Sequence, residues 1–163
     1  MKAREIMTKD PVSVSPDETV QRVAQLMAEN DCGCLPVVEG RGSDRVIGVI
    51  TDRDIALRGV AQGKGPDTPV RDLMTRDVTF CPPDADLRVV EQIMADRQIR
   101  RVVVAEADGT TLGIIAQADL ALAAERGSDV SEREVARVVE RISEPGRASG
   151  RHGGSGRGAE LQF

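Results

Sequence analysis

An internal repeat constrains this chain more than any other feature of its sequence. Gly48-Val49-Ile50-Thr51-Asp52-Arg53-Asp54 returns as Gly113-Ile114-Ile115-Ala116-Gln117-Ala118-Asp119. At an offset of 67 positions, Arg4-Glu5-Ile6-Met7-Thr8 lies on Arg71-Asp72-Leu73-Met74-Thr75, Asp17 on Asp84, Val23 on Val90, Met27-Ala28 on Met94-Ala95 and Val37 on Val104. A deletion of two residues in the second copy then brings Gly48 onto Gly113 and Asp54 onto Asp119. Repeats of this length are supersecondary units that cover one another's apolar faces. About sixty residues bury too little surface to be stable alone, so the two copies are expected to pack together.

Each copy reads as βαββα. In the first, Val12-Ser13-Val14 alternates as a short strand, and Val20, Val23, Ala24 and Met27 make an apolar stripe at helical spacing. Thr19 and its counterpart Asp86 are both good N-cap types, which places the helix start there rather than at Ser15. Leu35-Pro36-Val37-Val38 is a second strand, in which Pro36 favours an edge or a strand start, and Val46 to Ile50 is a third. The second copy repeats this with Val78-Thr79-Phe80, a helix carrying Leu87, Val90, Ile93 and Met94, then Arg101 to Val104 and Leu112 to Ile115. Residues 61–70 are a short connector between units at 4–60 and 71–125. Ser131-Glu132-Arg133-Glu134 signals the cap of a last amphipathic helix, 129–143, with Val135, Val138, Val139 and Ile142 on one face. Residues 145–163 are Gly-, Arg- and Ser-rich and are expected to be disordered.

The repeated motif is a strand feeding a helix N-terminus. There the first N–H groups lack internal partners and the dipole favours an anion. Thr51 would stand at the cap and Asp54 in the first turn. Thr-x-x-Asp is also an acidic relative of the capping box, which only holds the helix end. Ala116 replaces Thr51 in the second copy while the acid stays, so capping alone is not expected to account for the acid.

Composition narrows the function. The chain has 163 residues, 40% hydrophobic and 30% charged, with a formal charge of −5. It shows no Lys/Arg cluster of the kind nucleic acid requires. No apolar run approaches membrane-spanning length and the first residues lack a signal peptide's apolar segment, so a cytoplasmic protein with no membrane partner is expected. Cys32, Cys34 and Cys81 do not form a disulfide framework, and the one histidine, His152, lies in the tail, leaving too few ligands for a zinc site. Catalytic groupings such as HExxH or a P-loop are not found, so an enzyme is not expected.

Two βαββα units, each ending in Gly-h-h-(Thr)-x-x-Asp (h apolar), with Ile-Met-Thr or Leu-Met-Thr openers and Leu-Pro-Val-Val or Arg-Val-Val-Val second strands, resemble a tandem pair of cystathionine β-synthase (CBS) domains. The resemblance covers roughly residues 4 to 124. It implies an α+β fold in which the units pack through their sheets about a pseudo-twofold axis, a Bateman module. It also implies two clefts for adenosine-containing ligands and a homodimer. By resemblance Thr51 contacts phosphate and Asp54 binds ribose hydroxyls. The first cleft adds Thr75, Val78, Ile99, Arg100 and Arg101 from the other unit. Neighbouring strand residues face opposite ways, so of the two arginines Arg100 is expected to reach the ligand. With hardly any aromatic residues, Val49, Ile50, Val78 and Ile99 would hold adenine. Asp119, Thr8, Val12 and Gly33 line the second cleft, where Ala116 departs from the family's pattern and the borrowed strand Cys32-Gly33-Cys34 supplies no cation. The expectation is one nucleotide per chain, in the Asp54 cleft. The resemblance leaves AMP, ADP, ATP and S-adenosylmethionine open as regulatory ligands, with no obligatory cofactor and an unnamed protein partner. The competing reading is a ligand-independent protein–protein interaction module.

Overall fold

The computed structural model describes residues 1–40, 42–125 and 132–143. The chain opens with α1 (Ala3–Ile6) and β1 (Thr8–Lys9), then α2 (Val20–Glu29), β2 (Cys34–Val38) and β3 (Val46–Thr51). A helical segment follows, beginning as α3 (Asp52–Asp54) and continuing through a π-turn at Ile55–Gly59 and a 3₁₀ turn at Val60–Gln62. The second copy supplies β4 (Phe80–Cys81), α4 (Leu87–Arg97), β5 (Arg101–Ala105), β6 (Thr111–Ala116) and α5 (Gln117–Glu125). α6 (Glu132–Ser143) closes the described chain.

Local chemistry sets these boundaries. The Thr19 side chain accepts the Arg22 N–H at 3.2 Å and caps α2, whose Val20, Val23 and Met27 turn inward. Asp86 occupies the same position before α4 but does not cap it. Its carboxylate is taken by Lys2 Nζ at 2.8 Å. The π-turn has no counterpart in the second copy, where α5 runs as a regular helix.

The openers are exchanged between the units. The Ala3 N–H donates to the Ala85 carbonyl at 2.9 Å, and β1 pairs with β6, Thr8 lying opposite Ile114. Symmetrically, the Val70 N–H donates to the Glu18 carbonyl at 2.9 Å, and Thr75 and Val49 exchange both backbone bonds at 2.8 and 2.9 Å. Ala3 is therefore buried with Val104, Ile115 and Leu120 of the second unit. Val70, Leu73 and Met74 are buried with Val23, Leu35 and Ile50 of the first. The limits expected at 4–60 and 71–125 are divisions of the sequence; in space each opener completes the core of the other unit.

The second unit builds a four-stranded sheet in the order β1-β6-β5-β4. The first shows the same order as β3 and β2 flanked by single bridges, Val49–Thr75 on one side and Val14–Val37 on the other. The strand expected at Val12-Ser13-Val14 is thus one bridge, and that expected at Val78-Thr79-Phe80 is shifted to Phe80–Cys81. Both run at a sheet edge with a neighbour on one side only, so pairing holds only where the backbone meets β2 or β5. A third apolar cluster, Val38 and Val46 with Val103 and Ile114, joins the two sheets across the pseudo-twofold axis. α6 packs on α4 and α5, with Val135 buried and Arg141 paired to Asp96 at 2.9 Å. The Ser131 cap and the tail expected to be disordered lie outside the described residues.

Candidate functional site

At the end of β3 the backbone turns into α3 through a reciprocal cap. The Asp54 N–H donates to Thr51 Oγ1 at 3.1 Å, and the Thr51 N–H donates to Asp54 Oδ2 at 3.0 Å. The Thr51 hydroxyl proton also goes to Asp54 Oδ2, at 2.7 Å. In the second copy the Ala116 N–H still donates to Asp119 Oδ2 at 2.7 Å. Losing the hydroxyl therefore removes one half of the box and leaves the other. The argument that capping fails to account for the acid is corrected here, because Asp119 still satisfies a helix-end donor without any hydroxyl.

Beside each motif lies a cavity between the repeats, of about 540 Å³ next to Asp54 and about 420 Å³ next to Asp119. Both are built from equivalent positions. The opener loops bring Thr75, Asp77, Val78 and Thr79 to the larger, and Thr8, Asp10, Pro11 and Val12 to the smaller. The approach to each second strand brings Gln98, Ile99, Arg100 and Arg101 to the larger, and Asp31, Cys32, Gly33 and Cys34 to the smaller. The motif contributes Val49, Thr51 and Asp54 to one and Ile114, Ala116 and Asp119 to the other. Cys34, Arg101 and Ile114 line both, so Cys34 and Arg101, each at the other's equivalent position, stand at the boundary between the cavities.

The structure places the sequence-predicted residues as follows. Thr51, Asp54, Thr75, Val78, Ile99, Arg100, Arg101 and Val49 all line the larger cavity. Ile50 does not. It is fully buried in the core of the first unit, because alternation along β3 turns Val49 to the cavity and Ile50 away from it. Asp119, Thr8, Val12 and Gly33 line the smaller cavity. The borrowed strand Cys32-Gly33-Cys34 supplies no cation to it, but Arg101 of β5 lines it as well, and a Cβ built on Gly33 would lie 3.4 Å from Arg101 Nη2. Sequence reasoning missed Arg53, Asp77, Thr79 and Gln98 in one cavity and Asp10 and Asp31 in the other. The repeat alignment, which sets Asp77 on Asp10 and Gln98 on Asp31, carried that signal.

Electrostatics follow from this placement. Burial pushes the Cys34 thiol up to about 11 against the opposing charge of Arg101, so it is a neutral thiol at pH 7. Arg58, one turn beyond Asp54, places its Nε 3.5 Å from Asp54 Oδ1. Its Nη1 donates to the Leu73 carbonyl at 3.1 Å and to Thr75 Oγ1 at 3.3 Å. One guanidinium thus ties the carboxylate of one repeat to the opener of the other. The position equivalent to Arg58 in the second copy is Ala123, which is buried.

The family model for the CBS domain matches twice, at residues 3–59 and 70–126. The chain belongs to the CBS domain family. Among CBS proteins, the CBS domain-containing protein YhcV of Bacillus subtilis is 39% identical over 119 residues, 73% of this chain and 82% of that protein. A crystal structure of hypoxic response protein I with two coordinated zinc ions has a TM-score of 0.66 at 33% identity, covering 75% of this chain and 98% of that one. A CBS domain pair in complex with 5′-methylthioadenosine and S-adenosyl-L-methionine has a TM-score of 0.68 at 23% identity, over 75% of this chain and 94% of that one, a likeness of fold. Among the described residues here, no three His, Cys, Asp or Glu side chains are grouped to hold a metal ion, and no helix is long and apolar enough to cross a membrane.

Proposed function

We propose that this CBS pair is a regulatory module that binds an adenosine-containing ligand in the cavity of Thr51 and Asp54 and passes its occupancy to a partner protein. The observation that carries the reading is the convergence of Thr51, Asp54, Thr75 and Arg100 on one cavity whose walls come from both repeats. Asp54, with a side chain 12% exposed, offers acceptors to a ribose cis-diol. Thr51 and Thr75 offer hydroxyl groups, Arg100 a fork that matches phosphate oxygens, and Val49, Val78 and Ile99 an aliphatic slot for adenine. A ligand bridging these groups makes contacts to both units at once, which is how occupancy would alter their packing. The ligand is AMP, ADP, ATP or S-adenosylmethionine, the protein acts as a homodimer in the cytoplasm, and its role is regulatory rather than catalytic. The neutral Cys34 thiol at the cavity boundary fits that role, since it is a poor nucleophile.

A thermal-shift titration with AMP, ADP, ATP and S-adenosylmethionine tests the reading. A ligand at about 100 times its dissociation constant stabilises the folded state by roughly 2.7 kcal/mol, a rise of a few degrees in Tm. The shift is expected to vanish in Thr51→Ala/Asp54→Ala. If none of the four ligands moves the wild-type Tm, the competing reading as a ligand-independent interaction module takes its place.

A further inference from the structure

We propose that Cys32 and Cys34 form a binding site for one thiophilic monovalent metal ion of the cuprous class. The two free thiols flank a single residue, are both half-buried and line the same cavity. Residues two apart in one chain lie at most about 7 Å apart at Cα, near the span that a disulfide bridges, so both sulfurs can reach one ion. Gly33 puts no side chain between them. It is held from the far side by Asp52, whose N–H donates to the Gly33 carbonyl at 3.2 Å and whose Oδ2 would lie 2.6 Å from a Cβ built there. The fold does not ask for sulfur at either position. In the second copy Ile99 and Arg101 stand there, on an equivalent path in which the Arg100 carbonyl accepts the Gln117 N–H at 2.9 Å.

The number of ligands chooses the ion. Thiolates select soft metals, and both structural zinc and iron–sulfur clusters call for about four protein ligands. Among the described residues no three His, Cys, Asp or Glu side chains are grouped to hold a metal, and Cys81 is buried in the core of the second unit, lining neither cavity. A closed-shell monovalent ion is satisfied by two sulfurs. Charge also fits. Asp10, Asp31 and Asp119 around the cavity raise the local concentration of cations, and Arg101 faces the negative charge of the thiolates, which Asp52 and Asp54 oppose. On binding, two S–H bonds give way to two bonds from sulfur to the ion, two protons leave to solvent and no electron is transferred, so the complex carries one negative charge beside Arg101. Burial, against the opposing charge of Arg101, holds the proton on the Cys34 thiol, so the ion must displace it. Because Cys34 and Arg101 line both cavities, the ion would stand in the wall that the cavities share.

Anaerobic titration of the reduced full chain with Cu(I), against bicinchoninate as a competing chelator, tests the proposal. One ion per chain is expected, with a sulfur-to-copper charge-transfer band in the ultraviolet. Cys32→Ser and Cys34→Ser should each lower the affinity by more than the roughly 10–100-fold that follows loss of a group merely supporting a ligand. Cys81→Ala should leave it unchanged. X-ray absorption at the copper edge needs no variant, and should show two sulfur neighbours and no nitrogen. The proposal is overturned if bicinchoninate keeps the copper, or if Cys32→Ser/Cys34→Ser still takes up one ion. A nitrogen neighbour overturns it too, since it would move the copper to His152. Zn(II) bound as tightly as Cu(I), and lost in the same variants, would overturn the choice of ion.

Discussion

Arg4 forms its ion pair with Asp84 of the second repeat, while the equivalent Arg71 pairs with Asp17 of the first. The same two residue types recur in each copy, yet each pair is made across copies. The openers are thereby exchanged, and neither unit has a complete core of its own. Residues 1–64 expressed alone lack Val70, Leu73 and Met74, all buried in the first unit. Such a fragment is expected to be unfolded by circular dichroism, whereas the ion pairs themselves matter little. Arg4→Ala or Asp84→Ala should each cost less than about 1 kcal/mol by urea denaturation, since both side chains are at least half exposed.

Neighbouring residues of β3 should separate stability from binding. Ile50→Ala empties a fully buried site and is expected to cost about 2–5 kcal/mol, with little change in ligand affinity of the folded fraction. Val49→Ala, half-buried and facing the larger cavity, should cost less stability and weaken ligand binding. Equal loss of affinity in both variants would contradict the strand orientation.

Gly113 is required by the exchanged opener. A Cβ there would lie 2.5 Å from the Thr8 carbonyl oxygen and 2.8 Å from Met7 Sδ, and the backbone oxygen cannot yield without breaking the β1–β6 pairing. Gly113→Ala is therefore expected to lower stability by about 1–3 kcal/mol. At Gly48 the first contacts are Met74 Sδ at 2.9 Å and the Thr75 carbonyl at 3.0 Å, so Gly48→Ala should cost less. Chemical denaturation of the two variants side by side gives the order.

Arg58→Ala should loosen Asp54 and Thr75 together, because one guanidinium reaches both. Expected is a several-fold loss of nucleotide affinity, a gap between ADP and 2′-deoxy-ADP smaller than in the wild type, and partial rescue by Arg58→Lys. The Arg58 side chain is half exposed, so its effect on stability should be small. An unchanged ribose-hydroxyl dependence would show that Arg58 does not position the carboxylate.

The thiols give a pH dependence with a definite sign. Burial raises Cys34 and Cys81 from the ordinary 9.0 to about 11. Between these values the unfolded chain has lost protons that the folded chain keeps, so stability falls as pH rises from about 9 towards about 11. Urea midpoints measured across that interval should decline, and less steeply in Cys34→Ala/Cys81→Ala. At pH 8 the wild-type Cys34 and Cys81 should react slowly with a disulfide reagent until denaturant is added.

The repeat, its period and its apolar spacing determined by themselves that two βαββα units share a core, and that Thr51 and Asp54 sit at a strand–helix junction. Those properties are local: caps, alternation and helical stripes are set by neighbours within a few residues. Alternation along β3 sets Val49 and Ile50 on opposite faces, but which face meets the cavity is decided by packing, so the sequence by itself did not exclude Ile50 from the cleft. What only the tertiary structure decided was non-local. Nothing along the chain tells Arg4 to choose Asp84 over Asp17, since the two acids occupy equivalent positions and only the packing of the units distinguishes them. Likewise the reach of Arg101 into both cavities, and the bond from Arg58 to Thr75, depend on where one repeat's strand ends against the other's opener. Such distances are fixed by the burial of Val38, Val46, Val103 and Ile114 between the sheets, a contact among residues far apart in sequence.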